Sequence, residues 1–279
     1  MRENRAICHD PALAAEVVSF RGILQKFPNH FHDDHYVVGC VEGGARRMYS
    51  LNTAYTLGPG DLVLFAPGDT HACEALDGKR FTYHCFNVRP ETMRGIAMRT
   101  LGDVSATFVR PSVRDNILAR SLADLARAFV SGADSSGLRE PALALLEKVL
   151  AGYSTAPPRS GGEPFAAEVD AACVWMRRHF MEPVTLERLG HVAGCNKFTL
   201  VRAFGRIKGI TPHRYLETVR VSAARAYLER GGGPAWAAAE SGFTDQSHLS
   251  RHFKQMTGLT PGQYRRIFGK TLTGESARR

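Results

Sequence analysis

The chain has 279 residues, 44% of them hydrophobic and 23% charged, which are ordinary globular proportions and enough for two domains with real cores. That composition excludes a disordered or low-complexity chain. Its net charge of +9 is uneven: from Ala166 onward there are 18 Lys and Arg against 9 Asp and Glu, and the preceding residues hold 18 of each. A positive excess confined to one half suits a polyanion binder, because each phosphate neutralised releases a condensed counterion. Six scattered cysteines, Cys8, Cys40, Cys73, Cys85, Cys173 and Cys195, never form Cys-x-x-Cys. This argues against a zinc knuckle or a disulfide framework and fits reduced thiols. Charged residues interrupt the first ten positions, so no signal peptide is visible, and no apolar run approaches the roughly 20 residues of a membrane span. The expectation is a soluble, cytoplasmic protein without a membrane partner.

From Val17 to about Val88 the apolar residues fall in short runs, at Val17 to Phe20, Tyr36 to Val41, Arg47 to Leu51, Leu62 to Phe65 and Phe81 to Val88. Gly, Pro, Asn and Asp punctuate them about every ten residues, the pattern of a sandwich or small barrel. His30-Phe31-His32 puts two imidazoles on one face of a strand by period two. Gly60 to His71 then reads as a buried strand between a Gly-Asp turn and a Pro-Gly turn, with a histidine directly after it. Together these stretches resemble the cupin barrel.

Metal-binding cupins present two histidines, a glutamate and a later histidine to an ion. Here Tyr36 stands where the glutamate would fall, Ala75 where the second motif usually has Asn, and Gly60 is one residue further from Pro67 than usual. The resemblance leaves His30, His32 and His71 as candidate ligands for zinc, nickel or iron, with His35, His84 and Asp34 as further donors. The plainer alternative is a barrel that binds an organic effector, with His30, His32, Tyr36, His71 and His84 lining it. No cofactor is certain on either reading.

Leu118, Leu122, Leu125 and Phe129 form one helical stripe between Asp115 and Val130, and a second helix runs from Leu138 to Gly152. The two read as a hairpin that covers the barrel's open side or pairs with its own copy in a homodimer. Tyr153 to Pro164, rich in Pro, Ser and Gly, reads as a linker.

Beyond it, Phe165 to Met181 is an amphipathic helix, and then one pattern is written twice. A shift of 49 residues lays Leu200 on Leu249, Arg202 on Arg251, Phe204 on Phe253, Gly209 on Gly258, Thr211 on Thr260, Pro212 on Pro261 and Tyr215 on Tyr264. Each copy is a short helix, a tight turn and a second helix stopped by Gly-aliphatic-Thr-Pro, which makes two helix-turn-helices joined by a long helix from Pro212 to Glu229. The second helices expose Lys197, Thr199, Arg202 and Arg206 in the first copy, and Gln246, Ser247, His248 and Arg251 in the second. Arg202 and Arg251 suit guanine and Gln246 suits adenine, while most of the remaining basic side chains suit phosphates.

Ser241-Gly242-Phe243, Ser247 to Lys254, Gly258, Thr260-Pro261 and Tyr264-Arg265 resemble the signature of AraC/XylS transcription regulators over roughly the last 110 residues. The resemblance implies an α+β chain of two domains: a cupin-like barrel with a helical hairpin at 1–153, a linker at 154–164, and an all-α double helix-turn-helix at 165–279. It also implies base-reading positions at Phe198, Val201 and Arg202 in the first unit and Gln246, Ser247 and Arg251 in the second. An effector-controlled activator is expected, with promoter duplex DNA, a small molecule, RNA polymerase and a second copy of the chain as partners. Two rival readings are a metal-dependent cupin enzyme carrying a DNA-targeting module, and a constitutive DNA binder whose first half only dimerises.

Overall fold

A computed structural model describes residues 3–51, 53–103, 106–132, 134–155 and 163–276, with side chains described to Phe268. Nine strands come first: β1 (Asn4–Asp10), β2 (Ala15–Ile23), β3 (Phe27–His30), β4 (Tyr36–Gly43), β5 (Arg46–Ser50), β6 (Thr53–Leu57), β7 (Asp61–Phe65), β8 (His71–Ala75) and β9 (Phe81–Val88). There follow α1 (Pro90–Leu101), β10 (Thr107–Phe108), β11 (Ser112–Arg114), α2 (Asn116–Val130), α3 (Arg139–Tyr153) and β12 (Ser154–Thr155). The rest is helical: α4 (Ala166–Arg178), α5 (Leu186–Ala193), α6 (Lys197–Lys208), α7 (Pro212–Glu229), α8 (Pro234–Glu240), α9 (Gln246–Thr257) and α10 (Pro261–Ser276).

A six-stranded sheet in the order β1-β2-β9-β4-β7-β11 faces a four-stranded sheet in the order β3-β8-β5-β6. Strand residues alternate between two cores. Val18, Phe20, Val37, Val63, Phe65, Phe81 and Cys85 meet Met48 and Leu57 inside the barrel. Their neighbours Val17, Tyr36, Val38, Leu62, Leu64 and Phe86 pack outward against α1, α2 and α3. Burial on both faces is why these strands read as near-continuous apolar runs rather than as alternation.

The helical hairpin therefore covers the outside of the large sheet, not the barrel's mouth. Of the stripe offered above as a dimer surface, Leu122 and Phe129 are buried within the chain's own core, and Leu118 and Leu125 pack against it partly buried. Ser154 and Thr155, the first two residues of the linker expected at 154–164, pair with Phe108 and Thr107. Residues 156–162 of that segment lie outside the described residues.

In the C-terminal half, Thr185, Asn196, Thr211 and Asp245 each accept an N–H of the first turn they cap. α6 and α9 both stop at a glycine in the left-handed region, Gly209 at φ 68° and Gly258 at φ 81°. The two helix-turn-helices have separate cores, around Leu200 and Phe204 in one and Leu249 and Phe253 in the other. Among the described residues no helix is long and apolar enough to cross a membrane.

Candidate functional site

Between the two sheets lies a cavity of about 140 Å³. Its walls are mainly apolar barrel side chains, and Arg225 of α7, Met256 and Thr257 of α9 and Tyr264 of α10 also line it, so both halves of the chain contribute.

Three imidazoles stand at one part of this cavity. Strand register places His30 directly opposite His71, and period two returns His32 to the same side as His30. One ring nitrogen from each of the three lies within 4.8 Å of the others. His30 Nδ1 meets the carbonyl of Pro28 at 2.7 Å, and His71 Nδ1 meets that of Asp69 at 3.1 Å. A carbonyl can only accept, so both Nδ1 atoms carry the hydrogen and, in the neutral rings, both Nε2 atoms carry a lone pair. Burial pushes the His30 imidazole down to about 4. Burial, with help from neighbouring imidazoles, also holds His32 and His71 well below the usual value. Neutral rings held by second hydrogen bonds to carbonyls are how proteins prepare transition-metal ligands.

Two residues grouped with these three by the sequence stand elsewhere, and the reason is strand parity. Tyr36 faces the outer core and donates to the carbonyl of Ala106 at 3.0 Å; its neighbour Val37 faces the cavity. His84 also points outward, 2.9 Å from Glu42, while Tyr83 and Cys85 line the cavity. A one-residue step moves a side chain to the other face of the sheet.

At the boundary between the halves is a buried ionic cluster that the sequence did not announce. Arg225, 4% exposed, donates from Nη2 to Glu16 at 2.8 Å, from Nη1 to Asp34 at 3.3 Å and from Nε to the Tyr264 hydroxyl at 3.2 Å. Arg89 bridges Asp34 at 2.8 Å and Glu229 at 2.6 Å. Burial alone would raise the Glu16 carboxyl, yet Arg225, His35 and Tyr264 hold it below its usual value. His35 shares Asp34 at 2.6 Å, lines the cavity, and leaves its buried Nε2 without a partner.

A shorter connection runs through Phe31. His30 and His32 turn toward the cavity, and Phe31 between them turns into the core of the first helix-turn-helix, stacked on Tyr215 at 4.7 Å. Asn29 donates to the carbonyl of Gly209 at 2.8 Å, and Arg214 donates to that of Asn29 at 2.8 Å.

On the basic half, α6 and α9 begin and end at positions 49 residues apart, as the repeat predicts. Phe198, Arg202, Arg206, Gln246, Ser247 and Arg251 are exposed; Lys197, Thr199, Val201 and His248 are half-buried. Lys197 pairs with Glu187, Arg206 reaches Glu163 and the carbonyl of Pro164, and His248 meets Thr244. No pairing within the described residues occupies Arg202 or Arg251.

Two family descriptions match this chain: a helix-turn-helix domain over residues 189–267 and an AraC-like ligand-binding domain over residues 13–150. The HTH-type transcriptional regulator YbfI of Bacillus subtilis, itself uncharacterized, is 39% identical over 272 residues, spanning 97% of this chain and 98% of its own. The chain belongs to the AraC family of transcriptional regulators. The transcriptional activator RhaS of Escherichia fergusonii is 26% identical over 86% of this AraC-family chain and 87% of its own length. Among solved structures, ToxT of Vibrio cholerae shares the fold with a TM-score of 0.53 at 13% identity, over 91% of this chain and 98% of that one. The bifunctional transcriptional activator and DNA-repair enzyme AdaA of Bacillus subtilis matches only 39% of this chain and 53% of its own, at 31% identity.

Proposed function

We propose that this regulator is a transcriptional activator whose DNA-binding helices are set by a small molecule held in the barrel cavity. The observation that carries the reading is the shared wall: a ligand there touches the barrel and also α7, α9 and α10. It can bias the arrangement of the helix-turn-helices to the extent that its affinity differs between arrangements. The description of RhaS as an activator supports the sign of regulation. Residues 1–153 act as the sensor and 165–279 as the DNA reader, working as a homodimer that engages RNA polymerase in the cytoplasm. The chain acts by binding rather than by turnover, as the regulators similar over most of its length are described.

In this reading Arg202 and Arg251 take guanine and Gln246 takes adenine. Ser247, Phe198, Thr199 and Val201 line the groove, and Lys197, Arg206 and His248 adjust the phosphate contact. The test is fluorescence anisotropy of the full chain on a duplex from upstream of its gene and on a scrambled duplex. Arg251→Ala is expected to cost about 1–3 kcal/mol on the first alone. An equal loss on both would remove Arg251 from base reading.

The close approach of one ring nitrogen from each of His30, His32 and His71 favours a second occupant of the same cavity. His30, His32 and His71 would hold zinc, nickel or iron, which supplies a Lewis-acidic contact for an effector heteroatom. Elemental analysis of tag-free protein purified without chelator is expected to give about one metal per chain, lost in His71→Ala. A metal-free wild type after incubation with all three ions would withdraw this occupant and leave the organic effector.

A further inference from the structure

The barrel holds a positive charge without a counter-charge. Arg46 opens β5 and, by alternation with Met48, points into the barrel, where it is 0% exposed and lines the cavity. Its Nη1 donates to the carbonyl of Gln25 at 2.5 Å and its Nη2 to that of Ile23 at 3.1 Å, while the buried Nε has no partner. The guanidinium sits 5.1 Å from the centre of the Phe81 ring. Burial lowers its pKa, Cys73 opposes that shift, and Arg5 adds a charge of the same sign. Arginine nonetheless keeps its proton in proteins. No carboxylate forms a salt bridge with it among the described residues, whereas the other fully buried arginine, Arg225, has two.

An unpaired ion in an apolar wall is costly unless something completes it. Two carbonyls use two of the five N–H donors, and three remain, the partnerless Nε–H among them, for an oxygen acceptor such as a carboxylate. The surroundings are apolar: Phe20, Ile23, Met48, Leu57 and Phe81 share this part of the cavity wall. Arg46 pairs in register with Ala75, and Ser50 with His71, so along β5 the backbone of Arg46 lies four residues, about 13 Å, from the position opposite His71. The charge therefore belongs to a different part of the cavity from the histidines. The cavity volume is close to that of engineered sites that accept benzene.

We infer that the effector is a small monocarboxylic acid whose carboxylate pairs with Arg46 and whose apolar body lies against Phe20, Met48, Leu57 and Phe81. This rests on the reading of the chain as an effector-controlled regulator.

The test is calorimetric titration of the full chain with benzoate and octanoate, each beside its neutral amide, in wild type, Arg46→Lys and Arg46→Met. At least one acid is expected to bind wild type tenfold or more tightly than its amide. Arg46→Met should abolish that preference and Arg46→Lys should retain part of it. Without ligand, Arg46→Met is expected to melt no lower than wild type, because the unpaired charge has gone. Failure of both acids to bind wild type, or an acid no tighter than its amide, overturns the inference without relying on any variant. Anisotropy on the upstream duplex separates the two claims. An acid that binds through Arg46 and leaves DNA affinity unchanged retires effector control and keeps the carboxylate site. A neutral compound that changes DNA affinity while both acids fail retires the carboxylate site and keeps effector control.

Discussion

Replacing Arg225 by Met tests how the two halves are held together. The guanidinium is buried and hydrogen-bonded to Glu16, Asp34 and Tyr264, contributed by β2, the loop after β3 and α10. Asp34 keeps Arg89 as a second salt-bridge partner, but among the described residues Glu16, 5% exposed, forms a salt bridge with Arg225 alone. Breaking a buried pair by removing one partner costs about 3–5 kcal/mol, most of it from the stranded charge. The chain can bear that cost while staying docked, or escape it by letting α7 and α10 leave the barrel so that water reaches Glu16. Urea unfolding reports the first outcome as a lower midpoint. Small-angle scattering reports the second as a radius of gyration above that of the wild type measured alongside it. Either way, Glu16→Gln combined with Arg225→Met should recover more than half of the loss, since no charge is then stranded. A single variant costing under about 1 kcal/mol with unchanged dimensions, and no coupling to Glu16→Gln, would refute the assignment of the cluster as the interdomain clasp.

Three further outcomes follow from local geometry. Gly242 has φ 76°, and a Cβ there would meet the carbonyl of Phe180 at 2.7 Å, whereas a Cβ on Gly194, φ 68°, meets nothing within 4 Å. Thermal melts should show Gly242→Ala losing clearly more than the ~1 kcal/mol of left-handed strain expected for Gly194→Ala; equal losses would contradict the clash. Asp115 accepts the N–H groups of Ile117 and Leu118 at 3.0 and 2.9 Å and the Tyr153 hydroxyl at 2.7 Å, so Asp115→Ala should cost about 1 kcal/mol at neutral pH. Those bonds hold its carboxyl below the usual value, so the contribution is complete above the unfolded pKa of about 4 and fades as pH falls through the lower folded value. A wild-type advantage that persisted unchanged below that range would contradict the assignment. Phe253→Ala empties the core of the second helix-turn-helix, and equilibrium unfolding should register about 3–5 kcal/mol; a loss below 1 kcal/mol would mean that this core is not load-sharing with the rest of the chain.

The C-terminal helices are legible in sequence because each carries its own start and stop. Thr185, Asn196, Thr211 and Asp245 open helices, and Gly209 and Gly258 close them, all within one turn of the element concerned. The barrel is legible only in part. Its doubly buried strands stand out as apolar runs, whereas β3 contains Pro28, β6 is largely exposed and β1 interleaves Arg5, His9 and Asp10, so none of the three carries that signal. Helix α1 escapes because its buried face is short, only Met93, Ile96 and Ala97, while the apolar Met98 and Leu101 beside it are exposed and blur the pattern. In the histidine trio, His30 and His32 follow from local spacing, whereas His71 comes from a distant strand and is legible only through the cupin-like pattern of Gly60 to His71. Arg225 and Glu16 meet across 209 positions, and no spacing rule links them. Arg46 left a faint mark, a charge two positions before Met48 on the inward side of a strand.

Phe31 has a practical consequence for anyone building chimaeras from such regulators. Although it is covalently part of the strand-rich half, its ring completes the core formed by α4, α5, α6 and α7. A cut placed between the halves leaves the first reading unit with an open slot beside Tyr215, and a barrel grafted from another regulator would have to bring a ring of matching size to that position.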